Sequence, residues 1–185
     1  WRKALTTEFQ QQASQNVAEQ LLLQPQFTNA HNIGAYIANE NEIDPSPIIN
    51  MARQLGKTVY LPRMSEHKQY HLDFYAYNMA DKLDINSYGI AEPNANANKI
   101  EPWKLDLVLL PLVAFDQFCN RIGRGAGFYD RCFAFVNELP QAERPQLIGL
   151  AYPEQEIASI TAQPWDVAMD LIACGDSIYT RPPQA

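Results

Sequence analysis

The chain has 185 residues, 46% of them hydrophobic and 19% charged, with a formal net charge of −7. These proportions suit one folded globular domain with enough chain to bury a sizeable core, and the negative charge argues against general binding to nucleic acid or to an anionic membrane. The longest apolar run, 107–115, carries Pro111 and is too short to span a bilayer, and the 3 cysteines, Cys119, Cys132 and Cys174, lack the spacing of a disulfide framework or a thiolate zinc site. A reducing compartment, the cytoplasm, is therefore expected, and no signal-peptide pattern is visible.

Thr6 or Thr7 can cap a first helix, and Thr7 with Gln10 has capping-box spacing. Ala13, Val17 and Leu21 form its apolar stripe, and Pro25 follows its end. Ile33 to Ala38 has the character of a strand. Asp44 and Pro45 form an N-cap and N1 pair for a helix lined by Ile48, Ala52 and Leu55, with Gly56 as its stop. Thr58 to Leu61 is a second buried strand, ended by Pro62, so a strand–helix–strand unit with parallel pairing is expected. Tyr70 to Tyr77 alternates as a half-buried strand. The stretch from Asn78 to Pro93 reads as a long irregular segment, and Asn94 to Asn98 as a solvated connector. Leu107 to Leu110 is a central buried strand, Gln146 to Ala151 another, and Asp170 to Cys174 a last one before a frayed tail from Arg181. The fold class is α/β, with a mainly parallel sheet covered by helices on both faces.

The chemistry concentrates in Arg121-Ile-Gly-Arg-Gly-Ala-Gly-Phe-Tyr-Asp-Arg131. Glycines at 123, 125 and 127 let backbone amides approach an anion. Phe128, Cys132, Phe135 and Leu139 predict a helix that starts directly afterwards and points its N-terminus at the loop. Arg121, Arg124 and Arg131 set local charge against the global balance of 14 Lys+Arg and 21 Asp+Glu. The stretch suits phosphate. It is not a P-loop, because no Lys-Ser/Thr pair ends it, and its G-x-G-x-G spacing is not the dinucleotide fingerprint.

Other candidates carry two meanings each. Asp130 is either an acid that favours the helix dipole or a magnesium ligand beside phosphate. Asp166 and Asp170 are a polar edge or part of a site. Glu42 follows a strand end, where open α/β sheets place ligands, or is a surface acid beside the Asp44 cap. His31, His67 and His71 show no metal spacing. No nucleophile elbow exists, and no Cys or Ser has an evident partner, which disfavours covalent catalysis.

The glycine stretch, preceded by Pro111-Leu-Val-Ala-Phe-Asp116, resembles the signature of the 5-formyltetrahydrofolate cyclo-ligase (5,10-methenyltetrahydrofolate synthetase) family. Tyr88-Gly-Ile-Ala-Glu-Pro93, Gly149-Leu-Ala-Tyr152 and Gln155 resemble further family segments. The resemblance implies a three-layer sandwich and an ATP- and Mg²⁺-dependent cyclisation of 5-formyltetrahydrofolate. It implies ATP contacts from Arg121, Ile122, Gly123, Arg124, Gly125, Ala126, Gly127, Phe128 and Tyr129. Substrate contacts would come from Ile37, Glu42 and Arg124 to Phe128, with Glu42 on the pterin, and magnesium would sit on Asp130 and Asp166. Arg121 and Arg124 would offset charge during transfer, although the family does not always keep arginine at 124. The implied partner is a reduced folate, with or without a polyglutamate tail, and a monomer without nucleic-acid or membrane partners is expected. Cys119 stands where the family usually has Gly, and Pro45 where it often has Thr. Family basic residues that help hold ATP lie near the N-terminus, and Arg2 and Lys3 are not given that role. Two further readings stay open: a non-catalytic nucleotide- or folate-binding module, and a phosphosugar isomerase or CoA-transferase-like enzyme on a similar fold.

Overall fold

The computed structural model describes residues 4–39, 41–78, 80–86 and 89–182. Arg2, Lys3, Tyr88 and the end of the C-terminal tail lie outside the described residues. In chain order, α1 (Thr7–Leu22) and α2 (Pro25–Asn29) lead into β1 (Asn32–Gly34), and α3 (Ser46–Gln54) leads into β2 (Thr58–Met64). There follow β3 (Leu72–Ala76), a small hairpin of β4 (Asp84–Ile85) and β5 (Ala91–Glu92), β6 (Lys99–Ile100) and β7 (Leu107–Pro111). A second hairpin, β8 (Ala114–Phe115) and β9 (Arg121–Ile122), precedes α4 (Phe128–Cys132). The chain then runs through β10 (Gln146–Ala151), β11 (Leu171–Cys174) and β12 (Ser177–Thr180).

The main sheet has 8 strands in the order β12-β11-β10-β7-β1-β2-β3-β6. Its five inner strands are parallel, and β12, β3 and β6 pair antiparallel at the edges. Strand β7 lies inside the sheet, which explains its unbroken apolar run. Leu107 and Leu109 join the core under α1 and α3, with Val17, Leu21, Ile48 and Ala52. Val108 and Leu110 join the opposite core, with Phe74, Phe115, Phe133 and Ile172. The layers are helix, sheet, and a thinner cover of α4 and loops.

Local chemistry moves several boundaries. Thr6, not Thr7, caps α1, with its hydroxyl accepting from Phe9 N at 3.2 Å. Pro25 does not merely follow the helix but opens α2. Strand β1 is shorter than Ile33–Ala38. After Ala35 N bonds Tyr60 O, the chain leaves the ladder and buries Tyr36, whose hydroxyl donates to Ile43 O at 2.6 Å. Asp44 serves the start of α3 by accepting from Ser46 N at 2.9 Å, with Pro45 at the cap position. Leu55 lies beyond that helix and is exposed, and Gly56 at φ 74 ends it as expected. Strand β2 runs through Pro62 to Met64, because β1 has already ended there and no ladder bond is asked of the missing N–H. The segment 78–93 contains the β4–β5 hairpin, and the Asn94–Asn98 connector feeds an added edge strand, β6. Strand β12 is likewise additional, reached through a turn at Gly175.

The helix predicted over 128–139 is the largest departure. Helix α4 ends at Cys132, with Cys132 and Phe133 both buried, and a 3₁₀ turn over Ala134–Asn137 then brings Val136 into the core. Leu139 is left exposed.

Asp170 is a structural residue. Arg144 grips it with two bonds, Nη1–Oδ2 at 2.8 Å and Nη2–Oδ1 at 2.7 Å, and Leu147 N donates to Oδ2 at 2.8 Å. Both side chains are buried, so removing one strands the other's charge. Arg144→Ala is expected to lower unfolding free energy by about 3–5 kcal/mol, measured by urea denaturation. A loss under about 1 kcal/mol, the range of exposed pairs, would show that the pair is not sealed from water.

Candidate functional site

The loop expected between the central strand and the glycines is a hairpin, and one buried carboxylate shapes its turn. Asp116 Oδ1 accepts from Phe118 N and Asn120 N, each at 3.0 Å. Its Oδ2 accepts from Asn120 Nδ2 at 3.0 Å and from Ile160 N at 2.9 Å. Cys119 sits in the turn at φ 63, a left-handed conformation that glycine takes more readily. The turn register places Arg121 opposite Phe115 and sends its side chain inward. This Asp-x-x-x-Asn turn was the readable signal for Asp116, because aspartate bonds the backbone two residues on.

Arg121 is sealed, with its side chain 4% exposed, and its Nη2 lies 2.8 Å from Asp130 Oδ1. The same oxygen accepts from Val167 N at 3.2 Å, which ties the segment that carries Asp166 to Asp130. Arg121 Nε is buried without a hydrogen-bond partner among the described residues. The glycine loop is bent through left-handed residues at Gly125 (φ 95) and Gly127 (φ 65). A Cβ at Gly127 would also stand 2.9 Å from Arg131 Nη1. Arg131 bonds Ala126 O and lies over the Tyr70 ring at 4.9 Å, and Tyr70 meets Phe128 edge-on at 5.8 Å. Because α4 is only 5 residues long, its dipole adds little, and the positive charge at the loop comes from arginine.

Glu42 and Arg124 meet across the cleft. Glu42 Oε1 accepts from Arg124 Nε at 3.1 Å and lies 2.9 Å from Arg124 Nη2 as an ion pair, and Oε2 accepts from Asn39 N at 3.0 Å. Arg124 Nη2 also donates to Asn39 O at 3.0 Å. Glu42 is buried, while the Arg124 side chain is 38% exposed. Burial, and then the Glu42 charge, holds the Tyr129 hydroxyl well above its ordinary pKa, so Tyr129 presents a neutral phenol to the cleft.

One cleft of about 1350 Å³ is lined by Ile37, Glu42, all residues from Arg121 to Arg131, and Asp166. The residues proposed from sequence are thus brought together, apart from Asp170. The cleft adds Asn39 and a wall formed by Ile157, Ser159, Ile160 and Thr161, none of which the sequence pointed to. Asp130 and Asp166 both line the cleft, and Asp166 Oδ2 already accepts from Gln163 N at 2.8 Å. Among the described residues no cluster of three or more His, Cys, Asp or Glu could hold a metal. Any divalent ion on this pair would therefore be completed by ligands from outside the chain, as magnesium on phosphate is. The three cysteines are buried, and burial pushes each thiol up to about 12, which leaves no thiolate nucleophile. Among the described residues no helix is long and apolar enough to cross a membrane.

A family model described as the 5-formyltetrahydrofolate cyclo-ligase family matches residues 1–175. The 5-formyltetrahydrofolate cyclo-ligase of Escherichia coli K12 is 30% identical over 96% of this chain and 96% of its own length. That of Haemophilus influenzae is 34% identical over 94% of this chain and 91% of its own. The solved structure of Aquifex aeolicus 5,10-methenyltetrahydrofolate synthetase superposes with a TM-score of 0.81 at 23% identity, covering 100% of this chain and 89% of that one. A 5,10-methenyltetrahydrofolate synthetase from Mycoplasma pneumoniae gives 0.70 at 26% identity, covering 95% and 92%.

Asp116→Asn replaces an acceptor oxygen with an amide that cannot accept from the N–H groups now facing it. Chemical denaturation is expected to show a loss of about 1–3 kcal/mol. Stability within about 0.5 kcal/mol of the parent, the range of ordinary surface changes, would mean that the turn does not depend on this carboxylate.

Proposed function

The chain belongs to the 5-formyltetrahydrofolate cyclo-ligase family, a family of ligases, and on that premise we propose that it cyclises 5-formyltetrahydrofolate to 5,10-methenyltetrahydrofolate, with ATP converted to ADP and phosphate. The observation that carries this reading is the shared cleft, in which the folate candidates Ile37 and Glu42 face the glycine loop, Arg121 and Asp130. Its volume of about 1350 Å³ exceeds the roughly 300–1,000 Å³ of a pocket for one small ligand, and suits two.

The formyl oxygen on N5 is a poor leaving group. Transfer of the γ-phosphoryl group onto it makes it a good one, N10 then attacks the formyl carbon, and phosphate departs. Little covalent work falls to the protein, which must align two ligands and offset charge. Arg121 supports that role because it is buried, aimed by Asp130, and has an Nε donor still unmatched. Gly123 to Gly127 would cradle phosphates with backbone amides, while Phe128 and Tyr129 wall the pocket. Glu42 would receive N–H donors of the pterin edge. Asp130 and Asp166 would hold magnesium, which when bound supplies positive charge beside the transferring phosphoryl group. We place the reaction in the cytoplasm, which the three free buried cysteines suit, with a monomer as the acting species.

The direct test is near-ultraviolet absorbance for the methenyl product. The purified chain with 5-formyltetrahydrofolate and Mg²⁺ should produce it only when ATP is added, and no product in that mixture would overturn the reading. Asp130→Asn should lower turnover by ~10²–10³, the scale of one lost electrostatic contact, and move the Mg²⁺ dependence to higher concentration. A parental Mg²⁺ profile in a variant with a normal melting curve would remove Asp130 from the metal role. Arg121→Ala should cost at least as much turnover, and a change of only a few-fold would remove Arg121 from phosphoryl stabilisation.

A further inference from the structure

The two ligand groups assigned to this cleft are already bonded to each other. Glu42 is implied for the pterin and Arg124 for the phosphates as well as the substrate, yet the carboxylate takes one hydrogen bond and a further ion-pair contact from the guanidinium and one hydrogen bond from Asn39 N. A carboxylate offers about four lone-pair positions. An amino-pyrimidinone edge presents two parallel N–H groups and needs an acceptor position on each oxygen. The folate edge and Arg124 therefore compete for Oε1.

The two partners differ in exposure. Glu42 is fixed: it is 8% exposed, its N donates to Asn39 O at 3.2 Å, and its carbonyl accepts from Tyr152 Oη at 3.4 Å. Arg124 is 38% exposed and is flanked by Gly123 and Gly125, which set no Cβ against its movement. A triphosphate carries more charge than one carboxylate and accepts a guanidinium two bonds at a time. Nucleotide arriving at the glycine loop thus draws Arg124 off Glu42. A buried carboxylate left short of donors is costly, and the N–H groups of the folate edge are what replace them.

Resting on the folate-and-ATP reading above, we propose that Arg124 couples the two subsites, so that each ligand tightens the other. Coupling free energies are reciprocal, so the factor is the same in both directions. Nucleotide removes the competitor for Glu42, and folate removes one of the partners that hold Arg124 away from phosphate. The Glu42–Arg124 ion pair is the contact that either ligand opens for the other.

Isothermal titration with 5-formyltetrahydrofolate and the β,γ-imido analogue of ATP plus Mg²⁺ tests this without turnover. In the parental chain the Kd of each ligand should fall at least about fivefold when the other is saturating. In Arg124→Ala the ratio should drop below about twofold, and folate alone should bind at least as tightly as to the parent, because the competitor is gone. Glu42→Gln should act with opposite signs, tightening the nucleotide analogue and weakening folate. Thermal melts confirm that each variant is folded, and the parental arm alone decides whether coupling exists. Binding of both ligands with Kd values independent of each other overturns the coupling and leaves the folate-and-ATP reading standing. Coupling of parental size in Arg124→Ala overturns its assignment to this residue. Failure of either ligand to bind the parental chain overturns the reading, and the coupling with it.

Discussion

A carboxylate out of contact with water, that of Asp116, ties together the walls of the cleft. Its oxygens take N–H groups from the hairpin turn and from Ile160. The turn it closes passes order outward in two directions. Phe115 O accepts Ile157 N, which pins the wall over 157–161, and Cys119 O accepts Met169 N, which pins the segment carrying Asp166. Strand β9 then starts in a fixed register, so Arg121 enters the cleft from a backbone held on three sides. Buried ions are costly unless each position is matched, and here the matching donors are mostly backbone, which loses little entropy on being held. Gln155 does related work nearby, its amide donating to Leu112 O and Val113 O while its carbonyl accepts Tyr152 N.

Arginine supplies the positive charge lining the cleft of a chain whose net charge is −7, and three arginines at or near the cleft are each aimed by an acid. Arg121 is set by Asp130, Arg124 by Glu42 and, beneath the floor, Arg144 by Asp170. Such pairs contribute little net stability, since desolvation offsets most of the attraction. What they contribute is direction. A guanidinium already stripped of water and oriented needs little rearrangement when charge develops beside it, which is the condition for electrostatic catalysis. The gradient of exposure gives the three different work. Arg144 is held in the fold by its buried pair with Asp170, Arg121 is fixed by Asp130 and lines the cleft, and Arg124 is the exposed one.

Much of this was legible in the sequence. The run Leu107 to Leu110 named the central strand because only a strand buried on both faces is apolar at consecutive positions. The glycine stretch named the loop, and Glu42 was placed by the end of the strand before it. The turn residues were less legible. Asp116 and Asn120 carried a local signal, but the bond from Ile160 N comes from a distant segment that no spacing foretells. The Glu42–Arg124 pair spans 82 positions, and no spacing in the sequence joins the two residues. Periodicity misled at Phe128 to Leu139, where apolar residues at helical spacing are served by a single turn and a 3₁₀ segment. Here tertiary packing overrides local propensity: Cys132 and Phe133 are buried, and Val136 enters the core through the 3₁₀ segment.

That failed helix explains where the cleft can exist. One face of the sheet is sealed by α1, of 16 residues, and α3, of 9, whose stripes bury Val17, Leu21, Ile48 and Ala52 against it. The other face receives a 5-residue α4 and aromatic side chains in its place: Phe133 packs edge-on to Phe74 at 5.8 Å and stacks on Tyr129 at 6.5 Å. Rings cover area without the diameter of a helix, and a short element leaves the sheet's strand ends uncovered beside the glycine loop. Tyr36, Pro62, Met64 and Pro111, at or just beyond those strand ends, therefore line the open cleft. Open α/β sheets place ligands at such ends. In this chain the thin layer and the site are one feature, because a full-length helix packed at the usual separation of about 8–10 Å would compete for the space that the ligands need.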